Sequence, residues 1–149
     1  MNRSRFRFRH PLRVRYAEVD AQGVVFNAHY LTYFDVAITE YFRALGYDYM
    51  AAVADTGIDF HTVKALVEYK APIRYDDEIE VHARVARLGR TSLAFEFAIF
   101  RQGEGALLST GEVVWVAADQ RTHRPVPVPE PLAARIRAHE GDRLDEPKK

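Results

Sequence analysis

The segment from Tyr16 to Tyr30, YAEVDAQGVVFNAHY, holds the residues best placed for chemistry. It sets a carboxylate, Asp20, in a glycine-containing loop just before a long helical pattern. The start of a helix leaves unpaired N–H groups that carry partial positive charge. Such groups can hold a carbonyl oxygen as negative charge develops on it. A carboxylate near that oxygen can act as a general base on water, or attack the carbonyl itself. Both halves of acyl-transfer chemistry therefore sit in one short segment. The same residues have plainer uses, because an Asp before a helix commonly shapes a turn or caps the helix.

Other chemistries lack their residues. There is no cysteine, hence no disulfide framework, thiolate nucleophile or Cys-based zinc site. No G-x-S-x-G elbow, P-loop or G-x-G-x-x-G is present. Gly103-Glu104-Gly105 reads as a hairpin turn. The six histidines, His10, His29, His61, His82, His123 and His139, show neither H-x-x-x-H nor H-E-x-x-H spacing, so no metal site is expected. Asp76-Asp77-Glu78 reads as a solvated turn between strands.

The elements that must position Asp20 follow from periodicity. Leu12 to Tyr16 alternates in the manner of a strand, with Leu12, Val14 and Tyr16 on one side. Ala17 to Phe26 reads as a loop. From Ala28 to Leu45 the spacing of Tyr30, Phe34, Ala37, Ile38, Tyr41 and Leu45 predicts a long helix. Leu31, Tyr33 and Phe42 widen its apolar face, so burial on most sides is expected. Asn27 stands where an N-cap belongs and Gly46 where a helix ends. A short helix over Tyr49–Ala54 precedes a change of period to two. Strands are expected over Ala65–Tyr75, with a bulge or edge at Pro72, and over Glu78–Leu88, Thr91–Arg101 and Leu107–Ala118. A short helix, Leu132–His139, follows a proline-rich approach. The order argues for an α+β domain in which an antiparallel sheet covers one long helix.

Composition bounds the class. The chain has 149 residues, 48% of them hydrophobic, which fits one globular domain over 1–140 with a flexible charged tail over 141–149. Its 21 basic and 21 acidic residues sum to zero, against a protein that grips nucleic acid by bulk charge. The sum hides an N-terminal run of Arg3, Arg5, Arg7, Arg9, Arg13 and Arg15, which reads either as an extended arm with solvated side chains or as an anion-attracting face. No secretory leader is legible and no stretch nears the roughly 18 apolar residues of a membrane span, so a soluble cytoplasmic protein is expected.

The run Val14 to Asp35, VRYAEVDAQGVVFNAHYLTYFD, resembles the signature of hotdog-fold acyl-CoA thioesterases of the 4-hydroxybenzoyl-CoA thioesterase family. The resemblance continues more loosely through Val67–Val81 and Leu88–Phe97. It implies the hotdog fold, a long central helix wrapped by a curved antiparallel sheet of about five strands. It implies hydrolysis of an acyl-CoA to a free acid and CoA, with no cofactor because CoA belongs to the substrate. Asp20 matches the family's catalytic carboxylate. Asn27 matches the position whose backbone N–H holds the thioester oxygen; its side chain either orients water or the carbonyl, or only caps the helix. Tyr16 matches an aromatic beside the catalytic pair, or is simply an inward strand residue. Gly23 lets the loop approach the ligand, or is simply a turn glycine. Arg90, in the turn Gly89-Arg90-Thr91, matches a position where basic residues meet CoA phosphates. The resemblance also implies a homodimer or homotetramer.

Competing expectations differ in class. One is a hotdog protein that binds acyl thioesters without turnover, for which the carboxylate of Asp20 is not needed. Another is a thioesterase acting on acyl carrier protein. Nucleic-acid binding through the arginine run would collapse with salt. A hotdog dehydratase would pair a His with an acid of the long helix, and the surroundings of His29 and Asp35 do not match that pattern.

Overall fold

The computed structural model describes residues 2–147. The chain forms strand β1 (Phe8–Arg13), helix α1 (His29–Ala44), helix α2 (Tyr49–Thr56), strands β2 (Ile58–Tyr69), β3 (Glu78–Leu88), β4 (Ser92–Arg101) and β5 (Leu107–Asp119), and helix α3 (Glu130–Glu140). The five strands form one sheet in the order β1-β3-β4-β5-β2. β1 lies antiparallel to β3, from Phe8 opposite Ala83 to Arg13 opposite Glu78. β3 and β4 are joined by the tight turn at Gly89, whose N–H donates to the Ser92 carbonyl.

Three expectations are corrected here. The first strand is Phe8–Arg13 and ends before Tyr16. Tyr16–Glu18 is instead a single 3-10 turn, closed where Glu18 accepts from the Arg15 backbone N–H. α1 has 16 residues, about 24 Å at 1.5 Å per residue, and is of moderate length rather than long. The second strand begins at Ile58 rather than Ala65. Asp48 caps α2 by accepting from Ala51 N–H, Gly57 ends it at φ 70°, and the chain turns straight into the sheet. β2 stops at Tyr69 because Lys70 and Ala71 both donate to the Leu108 carbonyl and Pro72 has no N–H to offer.

Contacts divide the chain into two compact units: the chain up to Tyr41 with Leu66–Arg84 and Phe97–Gly111, and Phe42–Ala65 with Val85–Glu96 and the chain from Glu112 onward. In the first unit, Tyr30, Tyr33, Phe34, Ala37, Ile38 and Tyr41 form the buried stripe of α1. Phe34 stacks on Phe97 with centroids 4.3 Å apart, and Tyr41 meets Phe8 edge-on. Gly111 lies so close under Phe34 that a Cβ would overlap the ring. Burial is one-sided, since Leu31 and Val36 remain exposed on the opposite face. The N-terminal arginines meet carboxylates: Arg3 and Arg9 pair with Glu80, Arg13 with Asp76 and Glu78, and Arg15 with Glu18. Phe6 covers Ala98 and Phe100, so the N-terminal segment is packed rather than a free arm.

In the second unit, Phe42 stacks on Tyr49 and meets Phe95 and Trp115. α3 buries Leu132, Ala133 and Ile136. Its last residue, Glu140, accepts from Val85 N–H at 3.1 Å. Asp145 continues that edge, donating to the Ala86 carbonyl and accepting from Leu88 N–H. The charged tail expected over 141–149 is described as far as 147; Lys148 and Lys149 lie outside the described residues.

Candidate active site

The loop that carries Asp20 is a tight hairpin within the first unit. Val19 bridges Val25, Asp20 N–H donates to the Val24 carbonyl, and Gly23 N–H returns to the Asp20 carbonyl. Gly23 takes φ 79°, which explains glycine at this corner. Asp20 shapes the turn with one carboxylate oxygen, since Oδ1 accepts from Gln22 N–H at 2.8 Å. Among the described residues nothing donates to Oδ2. Asp20 is half-buried. The return arm is anchored where Val25 N–H donates to the Ile73 carbonyl and Val24 bridges Arg74.

Glu18 fastens the base of this loop. Although only 6% exposed, its carboxylate is fully engaged. Oε1 accepts from Arg15 N–H and from the Tyr33 hydroxyl, each at 2.8 Å, and Oε2 accepts from Arg15 Nε at 2.8 Å. Its backbone carbonyl accepts from Phe26 N–H. Burial alone pushes the Glu18 carboxyl upward. The bonds from Arg15 and Tyr33 outweigh it and hold the carboxyl below its ordinary value. Tyr33 is driven the other way, strongly upward, by burial and by donating to that carboxylate.

The chain then enters α1. His29 N–H donates to the Phe26 carbonyl and Tyr30 N–H to that of Asn27. Among the described residues, nothing accepts from the N–H of Asn27 or of Ala28. These are the exposed donors that a helix start leaves over. Asn27 does not serve as the N-cap: the helix opens at His29, and the Asn27 side chain binds nothing among the described residues. Its carbonyl accepts from the Tyr69 hydroxyl at 3.0 Å.

Asp20, Gly23, Asn27 and Tyr16 thus share one loop and its flanks. Tyr16 is not an inward strand residue. It is 78% exposed and meets Tyr75 edge-on at 5.8 Å. Arg90 belongs to the second unit. It is exposed and lines a cavity of about 330 Å³ together with Leu88, Val128, Glu130, Arg137 and Glu146. Arg137 is paired there with Glu130 and Glu146. Sequence reasoning missed Glu18, Tyr33 and Tyr69. Glu18 had a signal, an acid three residues after Arg15 at the head of the loop. Tyr33 and Tyr69 had none, because their partners lie 15 and 42 residues away in sequence. Among the described residues no group of three or more His, Asp or Glu could hold a metal ion, and no helix is long and apolar enough to cross a membrane.

Asp20 Oδ2 and the two unpaired N–H groups belong to one loop and the helix start it leads into. The chain is similar to proteins named as acyl-CoA thioester hydrolases. It is 35% identical over 130 residues to the acyl-CoA thioester hydrolase YbgC of Escherichia coli, covering 87% of this chain and 96% of that protein. The crystal structure of a DHNA-CoA thioesterase from Staphylococcus aureus superposes with a TM-score of 0.78 at 26% identity, covering 94% of this chain and 97% of that one. A 1,4-dihydroxy-2-naphthoyl-CoA thioesterase from Synechocystis shares the fold, with a TM-score of 0.81 at 18% identity over 87% of this chain and 94% of that one. The model of the thioesterase-like superfamily matches residues 14–136, and the chain belongs to that superfamily.

Proposed function

We propose that this thioester hydrolase cleaves acyl-CoA to a free acid and CoA, with Asp20 as general base and the N–H groups of Asn27 and Ala28 as the oxyanion site. The observation that carries this reading is the free Asp20 Oδ2 in the same loop as two unpaired N–H groups at the start of α1. A water on Oδ2 gives its proton to the carboxylate as it adds to the thioester carbonyl. The N–H groups hold the resulting oxyanion, and such donors are each worth about 10²–10³ in turnover. Collapse breaks the C–S bond. The departing thiolate takes the proton back from Asp20, leaving acid and thiol. The same carboxylate could instead attack and form a mixed anhydride. The water route is preferred because the unengaged Asn27 amide is available to place the water. Capture of an acyl group on Asp20 in rapid-quench mass spectrometry would overturn that preference.

The CoA phosphates are assigned to the exposed guanidinium of Arg90. A homodimer, alone or paired into a tetramer, is part of the proposal. β2 is the last strand of the sheet, and Val63, Leu66 and Tyr69 along it are exposed, apolar surface at that edge strand that a second copy would cover. The test is a thiol-release assay over short, medium, long and aromatic acyl-CoAs. Release from at least one of them is expected. None from any, with the protein folded, would favour an acyl-thioester binding protein or a carrier-protein substrate.

A further inference from the structure

We propose that Tyr69 is a positioning residue for this hydrolysis, its hydroxyl fixing and polarising the peptide whose N–H, that of Ala28, receives the thioester oxygen. The inference rests on the proposed function and adds a residue to it. The Asn27 carbonyl and the Ala28 N–H belong to one planar peptide unit and point in opposite directions across it. Whatever holds the carbonyl therefore aims the N–H. That peptide stands ahead of the first turn of α1, where intrahelical bonds to fix it are fewest. Tyr69 donates to its oxygen at 3.0 Å, whereas the bond from Tyr30 N–H is stretched to 3.4 Å. The Tyr69 ring is itself held, edge-on to the buried ring of Tyr30, with centroids 4.8 Å apart. A hydrogen bond accepted by an amide oxygen draws electrons from its nitrogen and strengthens the N–H as a donor, by about 10–30% per bond. Ala28 N–H has no acceptor among the described residues, so this added donor strength is available to a ligand.

A purely structural tyrosine would act through its ring, and Tyr69→Phe keeps the ring. The expected result for Tyr69→Phe is a fall in kcat of about three- to tenfold, the range of one neutral hydrogen bond, with KM changed less than about twofold. The deciding measurement is the infrared band of a thioester carbonyl, labelled with 13C, in the acyl-CoA that the wild type turns over fastest. It is recorded bound to Asp20→Asn and to Asp20→Asn/Tyr69→Phe. The proposal expects the band to move up towards its value in solution when the hydroxyl is lost. An unmoved band overturns it, whatever the rates do. The two levels separate cleanly. Turnover lost in Asp20→Asn with an unmoved band removes only the role of Tyr69, whereas wild-type turnover in Asp20→Asn removes the site reading and Tyr69 with it.

Discussion

Tyr33→Phe isolates the clamp under the catalytic loop. The substitution keeps a buried ring on the inner stripe of α1 and deletes one hydroxyl, the donor to Glu18 Oε1 at 2.8 Å. Glu18 is 6% exposed, so water cannot freely replace the lost partner. A hydrogen bond to a charged group is worth about 1.5–3 kcal/mol. For a chain of 149 residues, with about 2–4 °C of Tm per kcal/mol, the expected fall is roughly 3–12 °C near neutral pH. The sign of the pH dependence follows from the lowered pKa of Glu18. A carboxyl whose folded pKa lies below its unfolded value adds stability above the ordinary value of 4.5, and that stability is lost as pH falls through the folded pKa. Removing Tyr33's hydroxyl lets the Glu18 pKa rise. The gap between wild type and variant should therefore be full at neutral pH and shrink as the solution is acidified below about 4.5. Thermal unfolding by circular dichroism, from about pH 2.5 to 8 at one protein concentration, measures this. A gap below about 1 °C, or one that does not change with pH, would refute the clamp.

Three further outcomes follow. Gly111→Ala would bring a Cβ within 2.5 Å of Phe34 Cζ, against a fully buried ring stacked on Phe97, and should cost about 1–3 kcal/mol or more in urea unfolding. His82 is buried between Phe6 and Phe100, and burial holds its pKa below the ordinary 6.5 against the pull of Glu80. Stability should fall as pH drops through 6.5, and His82→Phe should remove that slope, which a pH series of urea midpoints will detect. Asn27→Ala should change stability by less than about 0.5 kcal/mol, because the side chain caps nothing, whereas a loss near 1 kcal/mol would restore the capping role.

Local signals were legible in the sequence. The i, i+3, i+4 stripe of α1 appears as its residues predict, but the burial on most sides that Leu31, Tyr33 and Phe42 suggested does not, since Leu31 is exposed. Gly46 ends the helix at φ 72° as a glycine there should. Strict alternation from Ile79 to Val85 and from Leu93 to Ile99 placed β3 and β4 almost to the residue. What failed depended on distant partners. Residues Leu12 to Tyr16 alternate, yet pairing with β3 draws in Phe8–Arg13 and leaves Tyr16 in a turn made by Glu18. The run of arginines reads as a field along the chain, but Arg3 and Arg9 pair with Glu80 and Arg13 with Asp76 and Glu78, acids more than 60 residues away. The Asp20–Gly23 corner was legible because turn chemistry is local. The hold of Tyr69 on Asn27 was not, since it joins an edge strand to a helix start.

The central claim is that Asp20 performs the chemistry rather than only shaping its turn. Its Oδ1 serves the turn by accepting from Gln22 N–H, and an asparagine can keep that bond through its own Oδ1. Asp20→Asn should therefore fold as the wild type does. The direct measurement is thiol release by Asp20→Asn on the acyl-CoA that the wild type hydrolyses fastest. A fall in kcat of about 10²–10⁴ with an unchanged Tm is the predicted result. Turnover within a few-fold of wild type would contradict both the general-base and the nucleophilic role of Asp20.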